Sequence, residues 1–170
     1  AMPAAHLVAF CGDLGISASR GALMLSVLTF AAFMARQFWG WLSDKIGGLW
    51  TVVFGSLAQI LGMLGFLATQ DEAGLFFIAA AYGLGFSGII PAYVLTLRAL
   101  FPAAEAHWRV PTLLFLSLSG MAAGAWLAGY IYDWLGFYAA AWWAGIGFNL
   151  VQFALILFLL LRWRRGMAEG

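Results

Sequence analysis

The sequence predicts an all-α protein that crosses a membrane several times. Of its 170 residues, 65% are hydrophobic and 9% are charged, whereas an ordinary soluble domain has about 25% charged residues. The 15 Phe, 9 Trp and 5 Tyr add apolar surface that a water-soluble fold of this size could not bury. Five stretches have the about 20 apolar residues that a helix needs to cross about 30 Å of hydrocarbon. The solvent of this chain is therefore lipid.

The apolar stretches define the elements in chain order. A short helix is predicted at about 3–16; it is too short to span and lacks the basic flank and cleavage site of a signal peptide. We interpret it as the end of a helix that begins before this sequence, and the chain as a fragment. The spans are predicted at about 21–42, 49–68, 75–97, 110–132 and 138–161. Links that contain Gly, Pro and charged residues separate them.

The basic residues give the expected orientation. Lys and Arg in short loops mark the cytoplasmic side of a membrane. With strict alternation of the spans, only Arg20 lies on one side, and six cations lie on the other: Lys45, Arg98, Arg109, Arg162, Arg164 and Arg165. We therefore predict a multi-pass protein of the inner (plasma) membrane with a cytoplasmic C-terminus.

Composition argues against several other classes of protein. A net charge of +1 without a basic surface does not favour nucleic-acid binding. The single Cys11 excludes an internal disulfide, a paired-cysteine zinc site and a CxxC redox pair. The chain has neither an HExxH nor a GxSxG pattern, so we do not expect an intramembrane enzyme. No metal and no cofactor are expected.

The link between the first two full spans carries a motif. It reads GWLSDKIGGLW, from Gly40 to Trp50. Gly40 permits close helix approach, Asp44 and Lys45 can pair across a gate at the water boundary, and Gly47 suits a left-handed turn between helices. The segment resembles the cytoplasmic loop signature of the major facilitator superfamily, although Gly48 and Leu49 stand where basic residues are common. An ordinary turn with positive-inside charge is the alternative interpretation.

Two longer segments resemble bacterial members of the same superfamily that are related to monocarboxylate and oxalate transporters. AYGLGFSGIIPAYVL is similar to their tenth helix, and its Pro91 predicts a bend in mid-membrane. LFLSLSGMAAGAWLAGYIYDWLGFY is similar to their eleventh helix, with a spaced pattern of Gly120, Gly124, Gly129, Asp133, Gly136 and Tyr138. The resemblance implies the C-terminal six-helix bundle of a twelve-helix transporter, with its first helix truncated and an N-terminal half as its partner.

The small residues of the fourth full span predict close helix packing. Gly120 and Gly124 form a GxxxG pair, and Gly129 lies further along the same helix. Such residues let two backbones touch, and in a transporter they also let helices slide. Static packing and sliding both remain open from the sequence alone.

Arg36 is the most informative single residue. It lies eight residues before Asp44, so it is about 12 Å into the membrane from the edge at 1.5 Å per residue. A guanidinium at that depth is costly and has to face the protein interior or water. Its planar fork of donors suits a carboxylate. In monocarboxylate transporters, which this segment resembles, an Arg four residues before the signature Gly binds the anion, and Arg36 has that position.

Two alternatives stay open for Arg36. The side chain could reach the cytoplasmic headgroups, or it could pair with an acid outside this chain. Some members of the family also carry an Asp for proton coupling four residues before that Arg, and here the position is Ala32. The second cation that oxalate-type members carry in the eleventh helix is absent from 110–132.

Other polar residues within the apolar segments are weaker candidates. Tyr93, Asn149 and Gln152 are candidate substrate contacts, and the alternative for the two amides is an interhelical hydrogen bond. His6 and Asp13 are candidates for proton coupling. The alternatives are a hydrogen-bonded structural histidine and a solvated or capping carboxylate.

The sequence therefore predicts secondary transport of a small monocarboxylate-like anion, coupled to a proton in a symport mode, with the bilayer and a second half as partners. One alternative is a transporter of an uncharged or aromatic substrate. Another is an integral-membrane assembly or sensor module that does not transport. Substrate contact by Arg36 distinguishes the first hypothesis from both alternatives.

Overall fold

The computed structural model describes residues 2–168, with side chains described for 2–163. It is 91% helical, and the described residues contain no strand. Seven helices follow one another in residues 2–168: α1 Met2–Asp13, α2 Ala18–Ile46, α3 Gly48–Ala68, α4 Glu72–Phe86, α5 Ile89–Leu100, α6 Ala106–Leu135 and α7 Tyr138–Ala168. A single 3₁₀ turn, Ala103–Glu105, precedes α6. The predicted all-α class is confirmed.

Five helical units among the described residues are long and apolar enough to cross a membrane. They are α2, α3, α4 with α5, the 3₁₀ turn with α6, and α7 as far as Trp163. Each extends beyond the predicted span, and several of the extensions contain charged residues that continue the helix toward the interface, such as Arg20, Lys45 and Arg98. The 12 residues of α1 are too few to cross.

The third span, for which the sequence predicts one bent helix over 75–97, has an irregular stretch of two residues, Ser87 and Gly88, which keep right-handed helical dihedral angles. Helix α4 ends at Phe86 and α5 begins at Ile89. Pro91 therefore lies in the first turn of α5, where its missing N–H is tolerated. Trp39 of α2 packs against this stretch. Its ring occupies the space where a side chain at Gly88 would lie, and its indole N–H donates to the Leu84 carbonyl at 2.5 Å.

The connections are tight, and two of them differ from expectation. Gly47, between α2 and α3, has φ +85 and ψ 155, so it has positive φ as predicted, but it is extended and not in the left-handed helical region. The link predicted at 98–109 is mostly helical, because α5 continues to Leu100 and α6 begins at Ala106. Its side chains bond locally: Glu105 and Arg109 form an ion pair one turn apart.

The interior of the bundle is aromatic and lies toward the end that carries Asp13. Helices α2 and α4 pack along each other, α3 packs on α4, α5 and α7, and α1 packs on α2. Phe66 of α3 and Trp142 of α7 stack with ring centroids 5.8 Å apart, and Phe10 of α1 contacts Trp142 edge to face at 5.6 Å. These side chains are at most 8% exposed. Offset and edge-to-face pairs of this kind add to close packing.

Close backbone approach occurs at a glycine other than the predicted ones. A Cβ on Gly83 of α4 would overlap the Leu28 carbonyl of α2, so glycine lets these two helices touch. Around Gly120 and Gly124, no atom lies within 4 Å of a built Cβ, and at Gly129 the nearest is the His6 ring at 3.5 Å. Within the described residues Gly120 and Gly124 border a cavity, so nothing packs tightly on them there, and their packing role stays a prediction.

Helix α6 is the least buried of the spanning helices. Ala128 is its single buried residue among those the structure describes. It packs on α7, and more sparsely on α1 and α5. Much of its apolar surface is left for lipid or for another polypeptide: Phe115, Leu116, Leu118 and Trp126 are between 58% and 70% exposed.

Candidate functional site

Arg36 lies at the border of the side of α2 that packs in the bundle. The buried residues of that helix recur at helical spacing and include Ala32, one turn before Arg36: Gly21, Met24, Leu28, Ala32, Ala35, Trp39 and Ser43. Arg36 is exposed, and the described residues offer it no ion pair or hydrogen bond. Its exposed neighbours include Phe33, 60% exposed, and Gln37. A cation surrounded by apolar side chains in a spanning helix needs an anion or water.

A cavity of about 500 Å³ lies inside the bundle, between α3, α5, α6 and α7. Three of the four predicted substrate contacts line it: Tyr93, Asn149 and Gln152. Gln59 and Ser117 add further polar groups, and the remaining wall is apolar or glycine. None of the described residues that line it carries a charge. Arg36 is not part of this wall, so the structure separates it from the other three candidates.

The polar residues of the cavity are joined across three helices. Gln152 of α7 donates its amide hydrogens to the Tyr93 hydroxyl at 2.6 Å and to Ser56 Oγ of α3 at 3.1 Å. Asn149, one turn earlier, donates to the Gly145 carbonyl at 3.1 Å. Its Oδ1 is buried and accepts no hydrogen bond from the described residues. The cavity wall thus contains an amide–phenol pair within an otherwise mostly apolar lining, a combination that suits a neutral hydrogen-bonding group.

The two proton-coupling candidates meet at a separate junction of α1, α6 and α7. His6 Nε2 lies 2.8 Å from the Ala125 carbonyl of α6, and His6 Nδ1 lies 3.3 Å from the Tyr138 hydroxyl of α7. Asp13 accepts a hydrogen bond from the Tyr132 hydroxyl at 2.9 Å. The rings of Tyr132 and Tyr138 stack at 4.3 Å between centroids. The junction therefore links His6 to Asp13 through two tyrosines.

The loop motif is present at the end of α2, but its predicted charge pair is not formed within the described residues. Asp44 and Lys45 are exposed, and Lys45 Nζ lies over the Trp41 ring, 5.6 Å from its centroid. Adjacent positions on a helix point in different directions, so the two side chains diverge. Gly40 has open space where a Cβ would lie, so the predicted close approach there is also absent from this part of the fold.

Sequence reasoning missed several residues of these sites. Gln59 and Ser56 of α3 and Tyr132 of α6 were not candidates. Gln59 and Ser56 are polar residues within an apolar span, which is a usable signal. Tyr132 lies next to Asp133 near a predicted span end, where tyrosine is common for interfacial reasons, so its role could not be read from its position.

A comparison with known families decides the relationship of the chain. The family model described as Major Facilitator Superfamily matches residues 1–169. The chain belongs to the major facilitator superfamily. Similar curated proteins include monocarboxylate transporter 13 of Rattus norvegicus, 30% identical over 148 residues, and monocarboxylate transporter 13 of Bos taurus, 27% identical over 147 residues. Each match covers 82% of this chain.

The chain spans about a third of the length of these relatives, since the matches cover 33% of each. The predicted resemblance to major facilitators of the monocarboxylate type is confirmed. The chain is a multi-pass membrane protein, as the family and its apolar helices indicate. The roles assigned to Arg36, to the cavity residues and to the loop motif stay predictions.

Proposed function

We propose that this chain forms the C-terminal half of a secondary transporter that carries a small monocarboxylate-like anion by alternating access. A single observation supports this most directly: Arg36 is an exposed cation without a partner among the described residues, on a helix long and apolar enough to span the bilayer. In this proposal the exposed Arg36 side chain faces an N-terminal half, and the substrate lies between the two halves. The two relatives named monocarboxylate transporter 13 support the substrate class.

The role of each part follows from its chemistry. The Arg36 guanidinium binds the carboxylate through two parallel hydrogen bonds. The exposed apolar residues of α2 and α6 form the contact with the other half and with lipid. Asp44 and Lys45 lie at the cytoplasmic end in the proposed orientation, where they pair with the N-terminal half when the gate closes. A proton crosses the membrane together with the anion, so that the net charge transported is zero.

The test is uptake of a panel of radiolabelled carboxylates by cells that express the full-length protein. Arg36→Ala removes a bidentate charged contact worth about 2–3 kcal/mol, so uptake below saturation falls by a factor on the order of 100. Gln37→Ala is the matched control, because Gln37 is the next exposed residue on α2. Both variants have to reach the membrane in equal amounts. Undiminished uptake by Arg36→Ala would refute the carboxylate contact.

The cavity favours a second candidate function, transport of an uncharged or aromatic substrate. Its lining pairs amide and hydroxyl groups with apolar side chains and contains no charged residue among those described. For such a substrate Arg36→Ala would leave uptake intact, whereas Gln152→Leu would reduce it. The opposite pattern supports the anion.

A further inference from the structure

The strongest group outside the proposed substrate contacts is the junction around His6. A backbone carbonyl can only accept a hydrogen bond, so the 2.8 Å contact with Ala125 places a proton on Nε2. In the neutral ring Nδ1 is then an acceptor, and the Tyr138 hydroxyl at 3.3 Å donates to it. Both ring nitrogens are satisfied in the neutral form, and only Nδ1 has room to take up a proton.

We infer that His6 is the site where the coupled proton binds, with Tyr138 as the group that accommodates the change of charge and Asp13 as the compensating carboxylate. This inference rests on the proposed function, because it gives a location to the proton of the proposed symport. It differs from the sequence prediction in adding the two tyrosines and in assigning different roles to His6 and Asp13.

The protonation step is simple. A proton from water at the Asp13 end of the helices binds to His6 Nδ1, and the ring changes from neutral to a charge of +1. The new Nδ1–H points at the Tyr138 oxygen, which changes from donor to acceptor as its O–H rotates away. The Nε2–H bond to the Ala125 carbonyl is kept. An imidazole undergoes this change near neutral pH, which no other unperturbed side chain does.

The charged groups nearest the junction are carboxylates. Asp13 lies seven residues after His6 on α1, two turns or about 10 Å along the axis. The Tyr132 hydroxyl donates a hydrogen bond to the Asp13 carboxylate at 2.9 Å. Asp133, the next residue of α6, carries a second carboxylate. On α2, which packs on another side of α1, Arg20 is paired with Glu72 of α4 at 3.1 Å, and Cys11 contacts Met24. Among the described residues, the carboxylates of Asp13 and Asp133 are therefore not matched by a free cation.

Proton binding at His6 acts on helices that are held by few other contacts. His6 connects α1 to the middle of α6 and to the first residue of α7, and Gly129 leaves room for its ring against α6. Ala128 is the single buried residue of α6 in the described chain, and two side-chain hydrogen bonds join α1 to α6, from His6 to Ala125 and from Tyr132 to Asp13. A change of charge here therefore changes how α6 packs, and α6 borders the cavity.

The first experiment is independent of transport. Nitrogen-15 NMR of histidine-labelled full-length protein in detergent follows the ring, with His6→Gln and His107→Gln identifying the two signals of this chain. We expect His6 to pass from the Nε2–H tautomer to the doubly protonated ring between pH 5 and pH 8. Asp13→Asn removes a negative charge and should move the midpoint to lower pH, whereas Asp44→Asn at the other end should not. A ring that stays in one state over this range, or a midpoint that ignores Asp13→Asn, overturns the inference.

The second experiment asks whether this proton is the transported one. His6→Gln and Tyr138→Phe should flatten the several-fold rise in acid uptake between pH 7.5 and pH 5.5, while exchange of internal for external substrate persists. Tyr130→Phe is the control, because Tyr130 is 50% exposed on α6. Unchanged pH dependence in His6→Gln overturns the coupling role. If no acid is taken up by the unmodified protein, the proposed function fails, and the NMR titration still decides whether His6 binds a proton.

Discussion

The hydrogen bonds of Gln152 allow a quantitative prediction. Its amide donates to Tyr93 at 2.6 Å and to Ser56 at 3.1 Å, and so joins α7 to α5 and α3. Hydrogen bonds between membrane helices contribute about 0.6 kcal/mol each on average and about 1.7 kcal/mol at most. Leucine is close to glutamine in volume, so little cavity is created. Gln152→Leu should therefore lower the free energy of unfolding by about 1.2 kcal/mol.

A double-mutant cycle separates the Tyr93 contact from the rest. Tyr93→Phe alone should cost about 0.6 kcal/mol, and the pair should cost less than the sum by a coupling energy of about 0.6 kcal/mol. The free energies come from reversible unfolding in mixed micelles of increasing SDS content. Val151→Leu, at an exposed neighbouring position, should change stability by less than about 0.5 kcal/mol. Additive effects of Gln152→Leu and Tyr93→Phe would show that the 2.6 Å bond is not formed, and the reasoning would fail.

Two further predictions concern packing and orientation. Gly83→Ala places a methyl group against the Leu28 carbonyl and should cost about 1–3 kcal/mol in the same SDS assay. Gly120→Ala meets open space and should be neutral or stabilising by up to about 1 kcal/mol; equal losses at both positions would contradict the packing described here. For orientation, Gln70→Cys should react with a membrane-impermeant maleimide on intact cells, whereas His107→Cys should react only after permeabilisation. Cys11 is fully buried, so the native cysteine of this chain should not add to the signal. The reverse pattern would invert the proposed topology.

The sequence was informative about the spans because hydropathy and the length of the apolar stretches are local properties. The all-α class and the five membrane-crossing units follow from them. The irregular stretch of the third span involves more than its own residues. Gly88 and Pro91 favour a bend in that helix, and Trp39 of α2 packs against Gly88 and donates to the Leu84 carbonyl at the same place. A side chain 45 positions away in the sequence leaves no local signal.

The sequence predicted several residues of the candidate site, but it did not predict which of them lie close together in the fold. Asn149 and Gln152 are three residues apart and therefore share one side of α7. Their approach to Tyr93 depends on the rotation of α5, which no sequence pattern gives. Gly120 and Gly124 have the GxxxG spacing of a packing motif, yet within the described residues they border a cavity, and their packing role stays a prediction. The depth of Arg36 along α2 needed no tertiary information, because it follows from counting residues, whereas its exposure depends on how the bundle packs.

The slight burial of α6 has a consequence for biogenesis. A helix that contributes one buried side chain to the described bundle gains little from its neighbours, so its entry into the membrane depends on its own hydropathy. In the two-stage view of membrane-protein assembly, such a segment leaves the translocon as an independent helix and docks afterwards. Substitutions along its exposed face would then leave insertion intact and alter the rate or the partner of docking. Helix α6 is therefore the part of the chain whose final position depends most on the rest of the polypeptide.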